Sequence, residues 1–488
     1  MLVTCQQMQE IEQRAFGRGI SAADLMEQAG CGIAREVRLL YPKPGTLILY
    51  LGSGNNAGDA LVAARELQKH GWQVQARLSS PLENLKPLPR RHFEAFPNLR
   101  LLDAPAQADH LTRPLVQFDG LLGIGATGEM RPAIRALAVE MNALRHRHQA
   151  WTVAMDIPSG LDGDTGLPFP DCVQADLTVT VAFAKKGLVA DAATSFVGRL
   201  SLVPLPDLQS PDEWLDSAQL LTPELLQCWL PRREFEFHKG QAGRVGIIAG
   251  SRGFLGAAAL ACGGALRSGA GLVTLLVKEE IYSLLSARVS SEVMVKIVKD
   301  YREVRDMHFD ALAIGPGLGF DHEVELLEVI RAAKLPVVID ADAITMLARS
   351  SDPNLLGSSA PRLLTPHPGE MLRLLPDQVS RRDWAAKWAR AHPGHTLLLK
   401  GARTVIETAG QPTLYNTTGH PGMATGGMGD VLTGVCAGLA GQGMSLHHAA
   451  GFGAWLCGRA AEIAALEMAQ ISVLPSDVIE HLGAAFPL

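Results

Sequence analysis

Asn416-Thr417-Thr418-Gly419-His420-Pro421-Gly422-Met423-Ala424-Thr425-Gly426-Gly427-Met428-Gly429-Asp430 is the stretch around which the chain is organised. It holds five glycines and one carboxylate, and the small-residue run Val431-Leu432-Thr433-Gly434-Val435-Cys436-Ala437-Gly438-Leu439 follows it. The pattern predicts a glycine-rich loop entering the N-terminus of a helix. Such an end offers unpaired N–H groups and the positive pole of the helix dipole to a phosphate. Glycine allows the backbone to approach closely. A carboxylate at the same point is placed to take the proton of a hydroxyl that attacks a phosphoryl group. A lone Gly-Asp would be read as a helix cap. Five glycines around Asp430 favour the phosphate site.

Working back from this stretch, four predicted strands end in loops rich in glycine or polar residues. Asp310–Ile314 leads to Gly315-Pro316-Gly317-Leu318-Gly319, and Pro336–Ile339 ends in Asp340-Ala341-Asp342-Ala343. Arg362–Leu364 ends in Thr365-Pro366-His367-Pro368-Gly369-Glu370, and Thr396–Leu399 in Lys400-Gly401-Ala402-Arg403-Thr404. Further back, strand Val245–Ala249 and the Gly250–Gly256 loop precede a helix over Ala257–Ser268 and a strand over Leu272–Val277. Short apolar strands alternating with helices predict a parallel sheet covered on both faces, with ligands bound outside the carboxyl ends of the strands. His367 alone reads as a satisfied histidine, and a strand-end Asp as a cap. In series on one sheet they outline one cleft.

The first half repeats the design. Helices are predicted over Met8–Phe16 and from the cap Ser21 to about Leu40. Strand Thr46–Leu51 then runs into Gly52-Ser53-Gly54-Asn55-Asn56-Ala57-Gly58-Asp59, a predicted loop before a helix over Ala60–His70. Phe118-Asp119-Gly120 leads to Gly123-Ile124-Gly125-Ala126-Thr127-Gly128-Glu129, and Thr152–Met155 to Asp156-Ile157-Pro158-Ser159-Gly160. Asn55, Asn56, Asp119, Asp156 and Ser159 should converge on one sheet edge. Their oxygens, with no thiol among them, suit a hard cation such as K⁺ or Mg²⁺. Pro204, Pro206 and Pro211 punctuate a linker over 207–216, and Thr222-Pro223 starts a second domain.

The whole chain bounds the reading. Its 488 residues predict two or three domains. Hydrophobic residues at 47% and charged residues at 19% describe a globular protein. A net charge of −6 gives no basic surface for nucleic acid. Seven cysteines without Cys-x-x-Cys spacing, each expected to be a buried inert thiol, suit a reducing cytoplasm. Residues 1–19 have no apolar core of a leader peptide. The most apolar stretch, Ala257–Val277, is interrupted by Arg267 and Ser268 and reads as core, not as a membrane span.

Gly52–Asp59, Gly123–Gly128 and Met155-Asp156-Ile157-Pro158-Ser159-Gly160-Leu161-Asp162 resemble the NAD(P)HX epimerase domain, a Rossmann-like fold, over residues 1–215. The resemblance implies epimerisation at C6 of hydrated NAD(P)H. It implies K⁺ on Asn56, Asp119 and Ser159. It places substrate on Asn55, Asn56, Ala57, Gly58 and Asp59, on Gly123, Ile124, Gly125, Ala126, Thr127, Gly128 and Glu129, and on Asp156. Ala57 stands where the family more often has Gly; its methyl is tolerated if φ is negative. Asp156 is expected to be the acid/base. A lone pair on the ring nitrogen expels the protonated C6 hydroxyl, and water returns on the other face.

Asp340–Ala343, Thr365–Glu370, Lys400–Thr404 and Gly422–Asp430 resemble the ADP/ATP-dependent NAD(P)HX dehydratase, a ribokinase-like fold, over 222–488. The pair in this order is similar to the bifunctional NAD(P)HX repair enzymes. The resemblance implies two three-layer α/β domains, with ADP as co-substrate giving AMP and phosphate. It places adenine nucleotide on Lys400, Gly401, Ala402, Arg403, Thr404 and Gly429, and NAD(P)HX near Ala258, Gly317, His367 and Asp430. Asp430 is the expected base, and Mg²⁺ is expected to bridge the nucleotide's phosphates. His420 and Met428 depart from the commoner Asn and Thr. The expected partners are NADHX, NADPHX and ADP. A homo-oligomer is expected because the Gly/Ala-rich helix Ala257–Arg267 would allow close subunit packing. The rival is a ribokinase-like small-molecule kinase with a non-catalytic N-terminal module.

Overall fold

The computed structural model describes every residue except 212–217, 231, 353, 358–359, 378 and 488, and the side chain of residue 108. Two compact units divide the chain, Met1–Asp216 and Ser217–Leu488. The linker expected over 207–216 falls, from 212 onward, outside the described residues.

The first unit is built on a seven-stranded sheet. Its strands follow the order Arg100–Leu101, Gln73–Leu78, Thr46–Leu51, Leu115–Gly120, Trp151–Met155, Leu177–Val181 and Arg199–Val203. Every pairing is parallel. Alternate side chains of Thr46–Leu51 serve two cores, which is why the whole strand is apolar. Leu47, Leu49 and Leu51 pack with residues of the helices Ala22–Leu40 and Asn55–Lys69, among them Ile33 and Leu61. Ile48 and Tyr50 pack with Met141 and Leu144 of the helix Pro132–His148. The result is three layers. The order reverses between Thr46–Leu51 and Leu115–Gly120, so a crevice opens where Asn55, Asn56 and Asp119 lie. A separate two-stranded sheet pairs Leu2–Val3 with Ala184–Lys185.

The second unit holds a ten-stranded sheet ordered Ala218–Leu220, Thr413–Tyr415, Val405–Thr408, Thr396–Leu399, Arg362–Leu364, Val337–Ile339, Ala311–Ile314, Arg244–Ile248, Leu272–Val277 and Val293–Ile297. All pairings are parallel except those of Val405–Thr408, which is antiparallel to both neighbours. The helices Leu255–Arg267, Met428–Gly441 and Leu446–Glu467 supply one core.

Glycine decides how two of these helices meet. A Cβ at Gly434 would lie 1.9 Å from the Ala261 carbonyl oxygen, and one at Gly264 2.4 Å from that of Val431. Of the small residues of Leu255–Arg267, Ala258, Ala261 and Ala265 are wholly buried, while Gly256, Ala257, Ala259 and Gly263 are partly exposed.

Other expectations also shift. The helix after Thr46–Leu51 starts at Asn55, not Ala60, and the one after the long glycine stretch starts at Met428, ahead of Asp430. Helix N-termini with glycine at the cap need no side-chain signal, so the sequence placed both starts too late. All seven cysteines are free, but Cys31 and Cys228 are exposed rather than buried. Among the described residues no helix is long and apolar enough to cross a membrane.

Candidate active sites

A cavity of about 670 Å³ opens at the carboxyl ends of the first sheet. Asn55, Asn56, Asp59, the whole loop Gly123–Glu129 and Asp156 line it, as expected, and Glu12 and Lys185 join them. Ala57 and Gly58 do not. Both are buried in the first turn of their helix, and a Cβ at Gly58 would meet the Met26 sulfur at 2.4 Å. They let that helix close on Ala22–Leu40 and offer a ligand no surface. Ala57 is helical, with negative φ, so its methyl carries no strain.

Beneath the cavity Asp119 and Ser159 are almost fully buried, and Asn56 is 8% exposed. Ser159 donates to Asp119 through Oγ (2.6 Å) and through its N–H (2.7 Å), while the Leu122 N–H donates to Ser159 Oγ (2.9 Å). Asn56 Nδ2 donates to the Leu122 carbonyl at 2.7 Å. The amide oxygen of Asn56 has no donor among the described residues. Burial raises Asp119 to about 6, against the bonds from Ser159 and Leu121 that favour its charged form.

Asp156 follows the strand Trp151–Met155 with φ +65°. Left-handed backbone in a non-glycine residue is uncommon and is tolerated best by Asp and Asn. Its Oδ1 accepts from Thr180 Oγ1 (2.8 Å), the Val181 N–H (3.2 Å) and Lys185 Nζ. Two further carboxyls stand close. Burial raises Asp59 well above its usual value, reinforced by Asp156 and Glu12, and raises Glu12, reinforced by Asp156. The sequence reading named neither Thr180, Lys185 nor Glu12.

In the second unit Asp430 occupies the first turn of Met428–Gly441, capped by Gly427 at φ +101°. The N–H groups of this turn have no helical acceptor and the loop Ala424–Gly426 before it is exposed. Asp430 has no hydrogen-bond partner among the described residues. Burial and Asp340, against Lys400 and with Asp342, raise it to about 6.

Lys400 Nζ donates to Asp340 Oδ1 at 2.7 Å and lies 3.9 Å from Glu370. Burial alone would lower Lys400, but Asp340 and Glu370 raise it. Thr433 Oγ1 donates to Asp340 Oδ2 at 2.7 Å. A Cβ at Gly429 would stand 3.3 Å from Lys400 Nζ. The strand ends Asp340 and Lys400, Glu370 of the helix Pro368–Leu374, and the helix start at Gly429–Asp430 therefore meet in one place.

His367 caps the helix Pro368–Leu374. Its Nδ1 accepts from the N–H groups of Gly369 (3.0 Å) and Glu370 (3.3 Å), so its other ring nitrogen carries the proton. Gly317, at φ +61°, fits against Phe254 and Ala257, and its carbonyl accepts from Ser251. Gly401 and Ala402 are exposed beside Lys400.

Two expected ligand residues are corrected. Ala258 is 0% exposed, so it supports the Gly250 turn instead of touching a ligand. Arg403, in the turn after Thr396–Leu399, is 4% exposed and offers a ligand little surface. The departures His420 and Met428 have local roles. His420 Nδ1 accepts from the Gly422 N–H at 3.1 Å, and Met428 packs on the core.

Two α/β units, each with carboxylates at the carboxyl ends of a largely parallel sheet, define a two-domain enzyme with a glycine-capped helix N-terminus beside the carboxylates of the second. Comparison with known proteins makes this specific. The family described as YjeF-related protein N-terminus matches residues 22–187, and that described as NAD(P)H-hydrate dehydratase matches 245–483. The bifunctional NAD(P)H-hydrate repair enzyme Nnr of Moorella thermoacetica is 37% identical, covering 99% of this chain and 96% of its own. That of Coxiella burnetii is 34% identical, covering 98% and 97%. The structure of ADP/ATP-dependent NAD(P)H-hydrate dehydratase from Bacillus subtilis, co-crystallized with ATP/Mg²⁺, is 31% identical over 54% of this chain and 96% of that one, with a TM-score of 0.49. The chain belongs to the bifunctional NAD(P)H-hydrate repair enzymes, with an N-terminal epimerase domain and a C-terminal dehydratase domain.

Proposed function

We propose that this chain interconverts the R and S forms of NADHX and NADPHX in its first unit, and in its second dehydrates the S form to NAD(P)H at the expense of ADP. The observation that carries the reading is the presence of two separately built carboxylate sites in one chain that aligns almost end to end with repair enzymes.

In the epimerase cavity, Asp156 exchanges the proton of the C6 hydroxyl. The ring-nitrogen lone pair expels the protonated hydroxyl as water, and water adds to the other face. The loop Gly123–Glu129 and Asn55 hold the nucleotide. Asn56, Asp119 and Ser159 present only hard oxygen donors, one of them an unpartnered amide oxygen, which fits K⁺. K⁺ held there would neutralise charge close to the substrate's phosphates.

In the dehydratase, Asp430 takes the proton of the C6 hydroxyl. The freed oxygen attacks the terminal phosphorus of ADP, and AMP departs. N–H groups of Gly426–Gly429 hold the developing charge. Phosphate then leaves C6, assisted by the ring nitrogen, and loss of a C5 proton restores the ring double bond. Among the described residues no group of three His, Cys, Asp or Glu could hold a metal. Mg²⁺ would therefore enter as the counterion of the nucleotide. Lys400, Gly401, Ala402, Thr404 and Gly429 form the nucleotide side of the cleft, and Gly317 and His367 the NAD(P)HX side. A cytoplasmic setting suits both substrates.

The test is absorbance at about 340 nm on an epimeric mixture of NADHX with K⁺, Mg²⁺ and either ADP or ATP. Complete conversion with ADP is expected. A plateau at the single-epimer level would make the first unit non-catalytic. Nucleotide consumed on another alcohol without NADH would make the second unit a kinase.

A further inference from the structure

The geometry points to Lys185 as the positioning residue of the epimerase step, acting through Asp156; the inference rests on Asp156 being the group that exchanges the C6 hydroxyl's proton. Asp156 Oδ1 is saturated, by the Lys185 ammonium, the Thr180 hydroxyl and the Val181 N–H. Oδ2 has no partner among the described residues, and Asp156 lines the cavity. Lys185 thus decides which carboxylate oxygen faces the substrate.

Lys185 is itself held from behind. Its side chain is 1% exposed, Nζ also reaches Thr180 Oγ1 at 3.3 Å, and its backbone pairs with Val3 in the two-stranded sheet. A buried ammonium is costly unless paired, and its carboxylate partner is the one the reaction needs. The groups facing Asp156 are Glu12 and Cys5 from the helix Cys5–Gly17, Asp59 from Asn55–Lys69, and Lys185. Lys185 is the only cation in this set. Without it, Asp59 and Glu12 oppose negative charge on Asp156 and no cation is paired with that carboxylate. Oδ2 accepts the hydroxyl proton of water returning to C6, and in the reverse sense gives it to the departing hydroxyl. Lys185 forms and breaks no bond.

The experiment measures epimerase kcat, KM and pH profile for Lys185→Met and Lys185→Gln in the full chain, with dehydration of purified S epimer as the internal control. For whichever variant melts like the parent, kcat is expected to fall at least 10-fold. KM stays within about threefold, and the alkaline limb of the profile, where the proton-donating form of Asp156 is lost, moves to higher pH by about a unit or more. Lys185→Arg, which keeps the charge, leaves that limb in place. An unmoved limb, a rise in KM at constant kcat, or losses that follow melting in both neutral variants would each overturn the proposal. Full epimerase activity in Asp156→Asn would instead refute the reading on which it rests.

Discussion

Asp430→Asn separates chemistry from stability in the dehydratase unit. Burial, reinforced by Asp340 and opposed by Lys400, lifts this carboxyl from 3.8 to about 6. The folded state therefore binds the proton more tightly than the unfolded chain does. As pH rises from about 4 to about 6 the unfolded chain releases the proton first, so stability falls through that window and stays lowered above it. At about 1.4 kcal/mol per pH unit, the ionised form costs the fold up to about 3 kcal/mol at neutral pH. Solvent at the partly open rim reduces this to roughly 1–3 kcal/mol. Asparagine is neutral throughout and escapes the cost. For a unit of this size, about 1 kcal/mol corresponds to about 2–4 °C.

The variant should thus melt roughly 2–10 °C higher than the parent near pH 8 and equally near pH 4. Dehydration should fall by about 10²–10⁴. Scanning calorimetry across pH gives the first quantity, with the dehydratase transition identified by its rise on adding nucleotide; turnover of purified S epimer gives the second. A variant that melts at or below the parent near pH 8 would refute the argument. It would mean that attraction to Lys400 outweighs burial and that Asp430 is a structural anion. The parent's rate should also show an acid limb near 6, since the base must be ionised.

The other expectations concern single sites. Asp156→Asn should abolish conversion of the R epimer while dehydration of the S epimer continues, as read from a plateau at about 340 nm. Gly429→Ala gains about 1 kcal/mol of helix propensity but crowds Lys400 Nζ at 3.3 Å and Asp340 Oδ2 at 3.5 Å. The nucleotide KM should rise about tenfold with little change in melting. Ser159→Ala leaves the Leu122 N–H without its acceptor and leaves Asp119 Oδ1 only the Leu121 N–H at 3.2 Å. It should cost about 1–3 kcal/mol in the epimerase unit and raise the K⁺ concentration for half-maximal epimerase activity.

The sequence carried the recurrent unit well. Thr46–Leu51, Leu272–Val277, Arg362–Leu364 and Thr396–Leu399 are strands at the residues expected, because a short apolar run bounded by turn residues has few other solutions. Thr222 and Ser21 cap helices as read, since a hydroxyl before a helical pattern satisfies a free N–H. The glycine-capped starts at Asn55 and Met428 were misplaced because glycine signals a loop as readily as a cap. Ala57, Gly58, Ala258 and Arg403 were drawn toward ligands by their neighbours in sequence. Helical phase turned Ala57, Gly58 and Ala258 inward, since adjacent residues on a helix face different directions, while Arg403 is buried in the turn between two strands.

By itself, then, the chain determined two α/β domains, and it pointed to the carboxyl-terminal strand ends as candidate sites and to Asp156 and Asp430 as the carboxylates to watch. These are local properties: strand period, turn chemistry, and glycine beside an acid. Tertiary structure alone decided what surrounds each carboxylate. Lys185 reaches Asp156 from 29 residues away, and Lys400 reaches Asp340 from 60. Glu12 and Asp59 come to the first cavity on separate helices. Desolvation and through-space charge depend on distance in the fold and not on separation along the chain. The proton affinity of Asp430 is therefore set only once the sheet has formed.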